Sequence, residues 1–357
     1  MKTMHVKTGR EYDIHFERGT LPNCGKLIRS VTAARRAAII TDSNVAGFYA
    51  AEVRASLAAA GFEASLFVFP AGEESKTLST IADMLSFLAE QSLTRGDLIV
   101  ALGGGVTGDM AGFAASCYLR GIEFIQIPTS LLAQIDSSVG GKTGVDLPQG
   151  KNLCGAFHQP ALVLIDPDTL DTLPAKFFTD GMGEAVKYGC IKAPTLFERI
   201  EQKRVHDFLD DLIYECVDIK RRVVENDEKE KGERMLLNFG HTLGHALEKY
   251  YHFSHLTHGQ AVGIGMVLIA RAGERNGITT PGTARRIEEV LRRLGLPHTN
   301  PAPLPELLRA AHADKKRASD GLNLVLLREI GSAFVQKVPE EQLSVFFGCE
   351  TTEGPNE

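Results

Sequence analysis

Five short apolar runs constrain this chain more than any other feature. They lie at 37–40, 65–69, 98–102, 124–127 and 162–165. Each is too short for a helix, and stretches with helical character (45–60, 78–91 and a small-residue segment after 109) separate the first four. Apolar strands alternating with helices predict a parallel sheet covered on both faces, a Rossmann-like α/β arrangement. A polar strand pair at 5–7 and 12–16 and a helix over 21–31, with Pro22 in its first turn, precede the alternation. After Pro174 the period changes. Helical spacing dominates at 197–203, 208–224, 236–250, 261–276, 283–294 and 304–311, with one β-like pair at 322–327 and 333–338. A chain of 357 residues exceeds most single cores. The expected organisation is therefore an α/β domain over 1–174 and a mostly helical domain over 175–357.

Composition narrows the function. Apolar residues make up 43% and charged residues 24%, as in ordinary globular proteins, and the net charge of −6 argues against a nucleic-acid binder. The six cysteines are scattered with no CxxC, which predicts neither a zinc ribbon nor a disulfide framework. The polar start does not read as a signal peptide, and no apolar run approaches the roughly 18 residues a membrane span needs. The expectation is a cytoplasmic protein.

Several stretches carry chemistry. The run at 98–102 enters GGGVTGD (103–109) and then a helix, so its backbone N–H groups suit a phosphate at a helix N-terminus; it is not the GxGxxG fingerprint, and tight-turn packing explains the glycines as well. Asp42, after an apolar strand, fits either a ribose contact or a helix cap. Lys142, Lys151 and Asn152 sit among Gly, Ser and Thr rather than other charges, which favours an anionic ligand; GGKT at 140–143 lacks P-loop spacing. NFGHTLGHALE (238–248) sets His241 and His245 four apart, about 5–6 Å at Cβ on one helix face. Thr242 replaces the glutamate of zinc proteases, so the pair reads as ligands, as acid–base groups or as structural histidines. Gly240 and Gly244 invite a second backbone. In GEAVKYG (183–189), Glu184 and Lys187 share a helix face in apolar surroundings. With His241 and His258, Glu184 makes a two-His, one-carboxylate set suited to Zn²⁺.

In order and spacing, PAGEESK (70–76), GGGVTGD, IPTSLLAQIDSSVGGKTGVD (127–146), GKN (150–152), GEAVKYG and NFGHTLGHALE resemble the 3-dehydroquinate synthase family, from Thr41-Asp42 to the 314–316 and 324–327 segments. The resemblance implies NAD at Asp42, the Glu73 to Lys76 turn, Gly105, Gly108, Asp109, Thr129, Ser130, Lys142, Lys151, Thr169 and Thr172. It implies Zn²⁺ or Co²⁺ on Glu184, His241 and His258. Substrate contacts would come from Arg120, Asp136, Lys142, Asn152, Lys187, Lys220, Arg234, Asn238, His245 and Lys316 or its neighbour Lys315. Of these, His245, Lys142 and Asn152, with Glu184, would carry the catalysis. Arg120 matches a residue that reaches a neighbouring subunit, which implies a homodimer. The implied substrate is a sugar-acid phosphate that loses phosphate on cyclising, with no nucleic acid or membrane as partner. Related polyol dehydrogenases and sister sugar-phosphate cyclases are the competing readings. Two departures stand out: Gln260 where the family usually has Glu, a possible loss of an acceptor beside a metal ligand, and Asp180-Gly-Met-Gly before Glu184.

Overall fold

A computed structural model describes residues 1–253, 255–315 and 321–349. The chain forms two compact units. The first comprises Met1–Phe178 and Ile213–Lys229, and the second Thr179–Leu212 and Glu230–Glu357. The division is thus not one cut: a segment of the helix Leu209–Asn226 belongs with the N-terminal sheet.

The first unit is built on β1 (Lys2–Val6), β2 (Tyr12–Phe16), β3 (Arg36–Asp42), β4 (Glu63–Phe69), β5 (Leu98–Gly103), β6 (Glu123–Pro128), β7 (Lys142–Leu147), β8 (Gly150–Phe157) and β9 (Leu162–Ile165). Seven of these make one sheet in the order β1-β2-β9-β6-β5-β3-β4, parallel except for the β1–β2 pair. Side chains alternate between its faces. Ile39, Val100, Leu102, Ile125 and Leu164 pack with Ile28, Val53 and Leu57 on one face. Ile40, Ile99, Ala101 and Phe124 pack with Met84, Leu88, Met110 and Ala114 on the other. Burial of both faces is why β3, β5 and β9 read as unbroken apolar runs rather than alternating ones.

Several local expectations are corrected. Residues 142–157, to which the sequence assigned no element, form an antiparallel hairpin of β7 and β8 outside the seven-stranded sheet. Its strands touch at Gly144 and Gly155; a Cβ on Gly155 would lie 2.1 Å from the Thr143 carbonyl oxygen. The segment 21–31 is a 3-10 turn, Leu21–Asn23, followed by the short helix Cys24–Arg29. The stretch 45–60 contains a π-helical segment, Ala46–Ala50, before Ala51–Ala59.

The second unit contains the helices Pro194–Gln202, His241–Tyr250, His258–Arg275, Thr283–Arg293, Leu304–Lys315 and Glu340–Phe347, and most of Ala175–Lys192. Its β10 (Gly321–Glu329) and β11 (Ser332–Pro339) form the hairpin suggested at 322–327 and 333–338, so the unit is not purely helical. The helix expected over 236–250 is broken. Glu233–Asn238 is a 3-10 segment, and Gly240 at φ +79° redirects the chain into His241–Tyr250. The helix Ala175–Lys192 had no clear periodic signature because residues 180–191 are buried all round.

Candidate functional site

In the second unit, three helices meet with touching backbones at glycines. A Cβ on Gly183 would stand 2.6 Å from the Gly259 carbonyl oxygen, and one on Gly259 would stand 1.9 Å from that of Asp180. A Cβ on Gly265 would lie 2.0 Å from the Gly240 carbonyl oxygen, and Gly244 backs onto Ala261 and Val262. The close approach expected of Gly240 and Gly244 is made by the helix His258–Arg275. Asp180 accepts the Gly259 N–H at 2.7 Å, so the unusual residue before Gly-Met-Gly fastens the start of that helix. Gln260 Oε1 accepts the Thr257 N–H at 3.1 Å within a capping box, a task Gln performs as well as Glu.

These contacts bring Glu184, His241 and His258 together. Glu184 is fully buried. Its Oε1 lies 3.5 Å from His241 Nε2 and 3.4 Å from His258 Nε2, and the three donor atoms all fall within 4.8 Å of one another. The other ring nitrogens face fixed groups: His241 Nδ1 is 3.1 Å from the Phe239 carbonyl oxygen, and His258 Nδ1 is 3.6 Å from Glu248 Oε2. One carboxylate and two imidazoles, each with Nε2 turned inward and Nδ1 backed by an acceptor, fit Zn²⁺ or Co²⁺ with a position left for a further ligand. Burial drives the His241 imidazole down to about 3 by disfavouring its charged form. Burial also opposes charge on His258, but Glu184 and Glu248 outweigh it and carry that ring to about 10. The pocket therefore attracts positive charge. Lys187 pairs with the other Glu184 oxygen and is itself 1% exposed.

His245 follows one turn after His241, with ring centroids 5.4 Å from His241 and 5.9 Å from His258. Arg234 is buried, and Asn238 Nδ2 donates to Glu230 Oε1 at 2.7 Å. Lys316 lies outside the described residues.

In the first unit a second cluster forms. Lys76, 4% exposed, donates from Nζ to Asp109 Oδ2 at 2.7 Å and to Asn152 Oδ1 at 2.6 Å, while Glu73 Oε1 stands 4.0 Å from Lys76 Nζ and 3.5 Å from Lys151 Nζ. Burial works against the Lys76 charge, yet Asp109 and Glu73 more than offset it and raise the ammonium above its ordinary value. The PAGEESK turn, the glycine turn and the β8 end thus converge, joined by Asp146, whose Oδ1 accepts the Asn152 N–H at 2.7 Å. Asn152 holds φ at +55°, a left-handed conformation Asn tolerates.

The remaining first-unit residues divide. Asp42 Oδ1 caps Asn44 and Val45 N–H at 2.9 and 3.1 Å, and its Oδ2 accepts from Thr107 Oγ1 at 3.4 Å. Thr129 N–H donates to the Gly103 carbonyl, and Ser130 Oγ caps Ala133. A Cβ at Gly108 would collide with Gln126 Oε1 at 2.5 Å, whereas Gly105 leaves 3.1 Å to Ser137 Oγ. Thr169 is buried and its hydroxyl is bonded to Gln134 and the Asp166 carbonyl; Thr172 Oγ1 meets Tyr49 OH at 2.6 Å. Lys220 Nζ binds Asp136 through its carboxylate at 2.5 Å and its carbonyl at 2.7 Å. Lys142 and Arg120 are exposed, Arg120 with φ +70° between Leu119 and Gly121, which also have positive φ.

Sequence reasoning overlooked Glu248, Glu230 and Asp146. Glu248 had a signal: 241, 245 and 248 follow helical spacing on one face. Glu230 and Asp146 lie in polar stretches where an acidic residue carries no distinguishing pattern.

The family models described as 3-dehydroquinate synthase N-terminal and C-terminal match residues 66–180 and 181–317. A 3-dehydroquinate synthase from Clostridium acetobutylicum is 46% identical over 348 residues, covering 96% of this chain and 98% of that protein. Among solved structures, a 2-deoxy-scyllo-inosose synthase complexed with carbaglucose-6-phosphate, NAD⁺ and Co²⁺ superposes with a TM-score of 0.87 at 26% identity, covering 97% of this chain and 99% of that one. A 2-epi-5-epi-valiolone synthase from Streptomyces hygroscopicus with NAD⁺ and Zn²⁺ bound gives 0.85 at 29%, covering 97% and 98%. Both halves of the chain match one family, the relative aligns almost end to end, and the chain belongs to the 3-dehydroquinate synthase family.

Proposed function

We propose that this chain is a phosphate-eliminating lyase that converts 3-deoxy-D-arabino-heptulosonate 7-phosphate to 3-dehydroquinate, by transient oxidation at C5, loss of phosphate, re-reduction and intramolecular aldol closure. The observation that carries the reading is the convergence of Glu184, His241 and His258 in a chain whose relatives share its full length. Those three residues would hold Zn²⁺ or Co²⁺. Asp42, Glu73, Lys76, Asp109, Lys151 and the backbone around Gly105, Gly108, Thr129, Ser130, Thr169 and Thr172 would hold NAD. When bound, NAD⁺ accepts a hydride and the cation acidifies a coordinated hydroxyl.

The chain's own residues do the rest. His245, one turn from His241, relays the C5 hydroxyl proton without occupying the cation. Lys142, Asn152 and Arg120 stabilise charge on the departing phosphate, which can itself take the C6 proton. Asp136, Lys187, Lys220, Arg234, Asn238 and Lys316 orient the carboxylate and hydroxyls. Local cationic groups of this kind let a protein of net charge −6 take an anionic substrate. The same family reading assigns a homodimer to which Arg120 contributes, and a cytoplasmic location.

The test is to incubate the purified protein with the heptulosonate phosphate, a catalytic amount of NAD⁺ and Zn²⁺. The expected result is phosphate released well beyond the NAD⁺ supplied, with no lasting NADH absorbance. Stoichiometric NADH accumulation would instead identify a dehydrogenase, and absence of phosphate release from folded, zinc-loaded protein would overturn the proposal.

A further inference from the structure

We propose that Glu248 is the positioning residue that fixes His258 for metal binding, an inference that rests on the metal reading above. Glu248 is 1% exposed, and a carboxylate is not buried so deeply without a charged or hydrogen-bonding counterpart. Its Oε2 stands 3.6 Å from His258 Nδ1, while the Nε2 of the same ring faces Glu184. A carboxylate facing Nδ1 favours the proton on that side, leaves Nε2 as the electron-pair donor and disfavours rotation of the ring. His241 is held in the corresponding way by the Phe239 carbonyl. Gln260, the position whose departure from the family suggested a lost acceptor, does not serve this purpose, because its Oε1 is engaged by the Thr257 N–H.

The arrangement follows from helix geometry. His241, His245 and Glu248 sit at i, i+4 and i+7 on one helix, so the element that supplies one ligand also supplies the group that orients the other. His258 begins the next helix, whose first turn is fastened by Asp180 and the Thr257–Gln260 capping box. The backbone of His258 is thereby set from one side and its ring from another. A rival role for Glu248 exists in the geometry: donor atoms of His245, Glu248 and His258 also lie within 4.8 Å of one another, so Glu248 is within reach of acting as a ligand itself.

Metal affinity separates these roles. Zn²⁺ affinity is measured by chelator competition, and Co²⁺ absorption is recorded at saturation, for the wild type, Glu248→Ala and Glu248→Gln, with melting of the metal-free proteins as a fold control. Loss of an orienting group weakens metal binding by about 10–100-fold. Glu248→Ala is expected to fall in that range while its saturated Co²⁺ bands match the wild type, because the ligands are unchanged. Glu248→Gln is expected to recover most of the loss, since its amide oxygen accepts the same Nδ1–H. Wild-type affinity in Glu248→Ala would overturn the proposal and leave the metal reading intact. Altered Co²⁺ bands with no recovery in Glu248→Gln would overturn it in favour of direct ligation. Failure of the wild type to bind either ion would overturn both readings. Should Glu248→Ala not fold, Glu248→Gln decides alone: unchanged bands and affinity within about tenfold of wild type support the role, and changed bands contradict it.

Discussion

Replacing Glu184 with glutamine is expected to lower turnover by at least ~1000-fold and to abolish tight Zn²⁺ binding, because a bound cation supplies several kcal/mol of charge stabilisation that neither imidazole replaces. Glutamine keeps the shape of the side chain but removes the carboxylate that both His241 Nε2 and His258 Nε2 face. It also removes the negative charge that pairs with Lys187, buried on the same helix. Removing one partner of a buried pair costs about 3–5 kcal/mol, so the melting temperature of the metal-free variant is expected to fall as well. Comparing metal-free wild type with metal-free Glu184→Gln isolates that structural cost, and chelator competition isolates the metal. A variant that melted lower yet bound Zn²⁺ with wild-type affinity would remove Glu184 from the ligand set.

The second large effect concerns stability in the first unit. Lys76→Met is expected to cost about 3 kcal/mol, read as a lower urea midpoint. Lys76 joins Asp109 and Asn152, and methionine would leave Asp109 inside the protein without its cation. The low end of the range applies because Asp109 keeps 19% of its side chain exposed. Adding Asp109→Asn to Lys76→Met is expected to restore part of the loss, since the stranded charge is then gone. NAD affinity falls in both variants if this cluster is the cofactor's polar anchor, and equal stability of the single and double variants would show that the pair is not the source of the cost.

The fold was legible where burial is simple. The strands β3, β5 and β9 are apolar on both faces, so each reads as a short continuous run whatever helix follows. It was obscure where side chains are small or burial is uniform. The helix Ala175–Lys192 hides its polar Glu184 and Lys187 among buried neighbours, and the glycines of β7 and β8 interrupt any strand pattern although they let two strands touch. Local pattern also gave no sign that Ile213–Lys229 joins the N-terminal sheet unit, because that contact depends on residues far away in sequence.

For the site, residue types at helical spacing exposed His241 and His245, ligand chemistry grouped Glu184 and His258 with His241, and the resemblance implied the same set. Sequence could not say which residue backs each imidazole. The acceptor behind His241 is a backbone carbonyl, which every residue has, and the one behind His258 is a carboxylate on another helix, seven residues after the motif's first histidine. Gln260 drew attention as a substitution, yet its side chain caps a helix, a role for which Gln and Glu are alike.

Glu184, His241 and His258 lie close enough to share one divalent cation. Crystals of the zinc-loaded protein, measured on both sides of the zinc absorption edge, test it most directly. The expected result is one anomalous peak per chain, about 2.0–2.2 Å from a Glu184 oxygen and from Nε2 of both histidines. A peak held instead by His245 and Glu248, or no peak near Glu184 in protein that carries zinc, would contradict it.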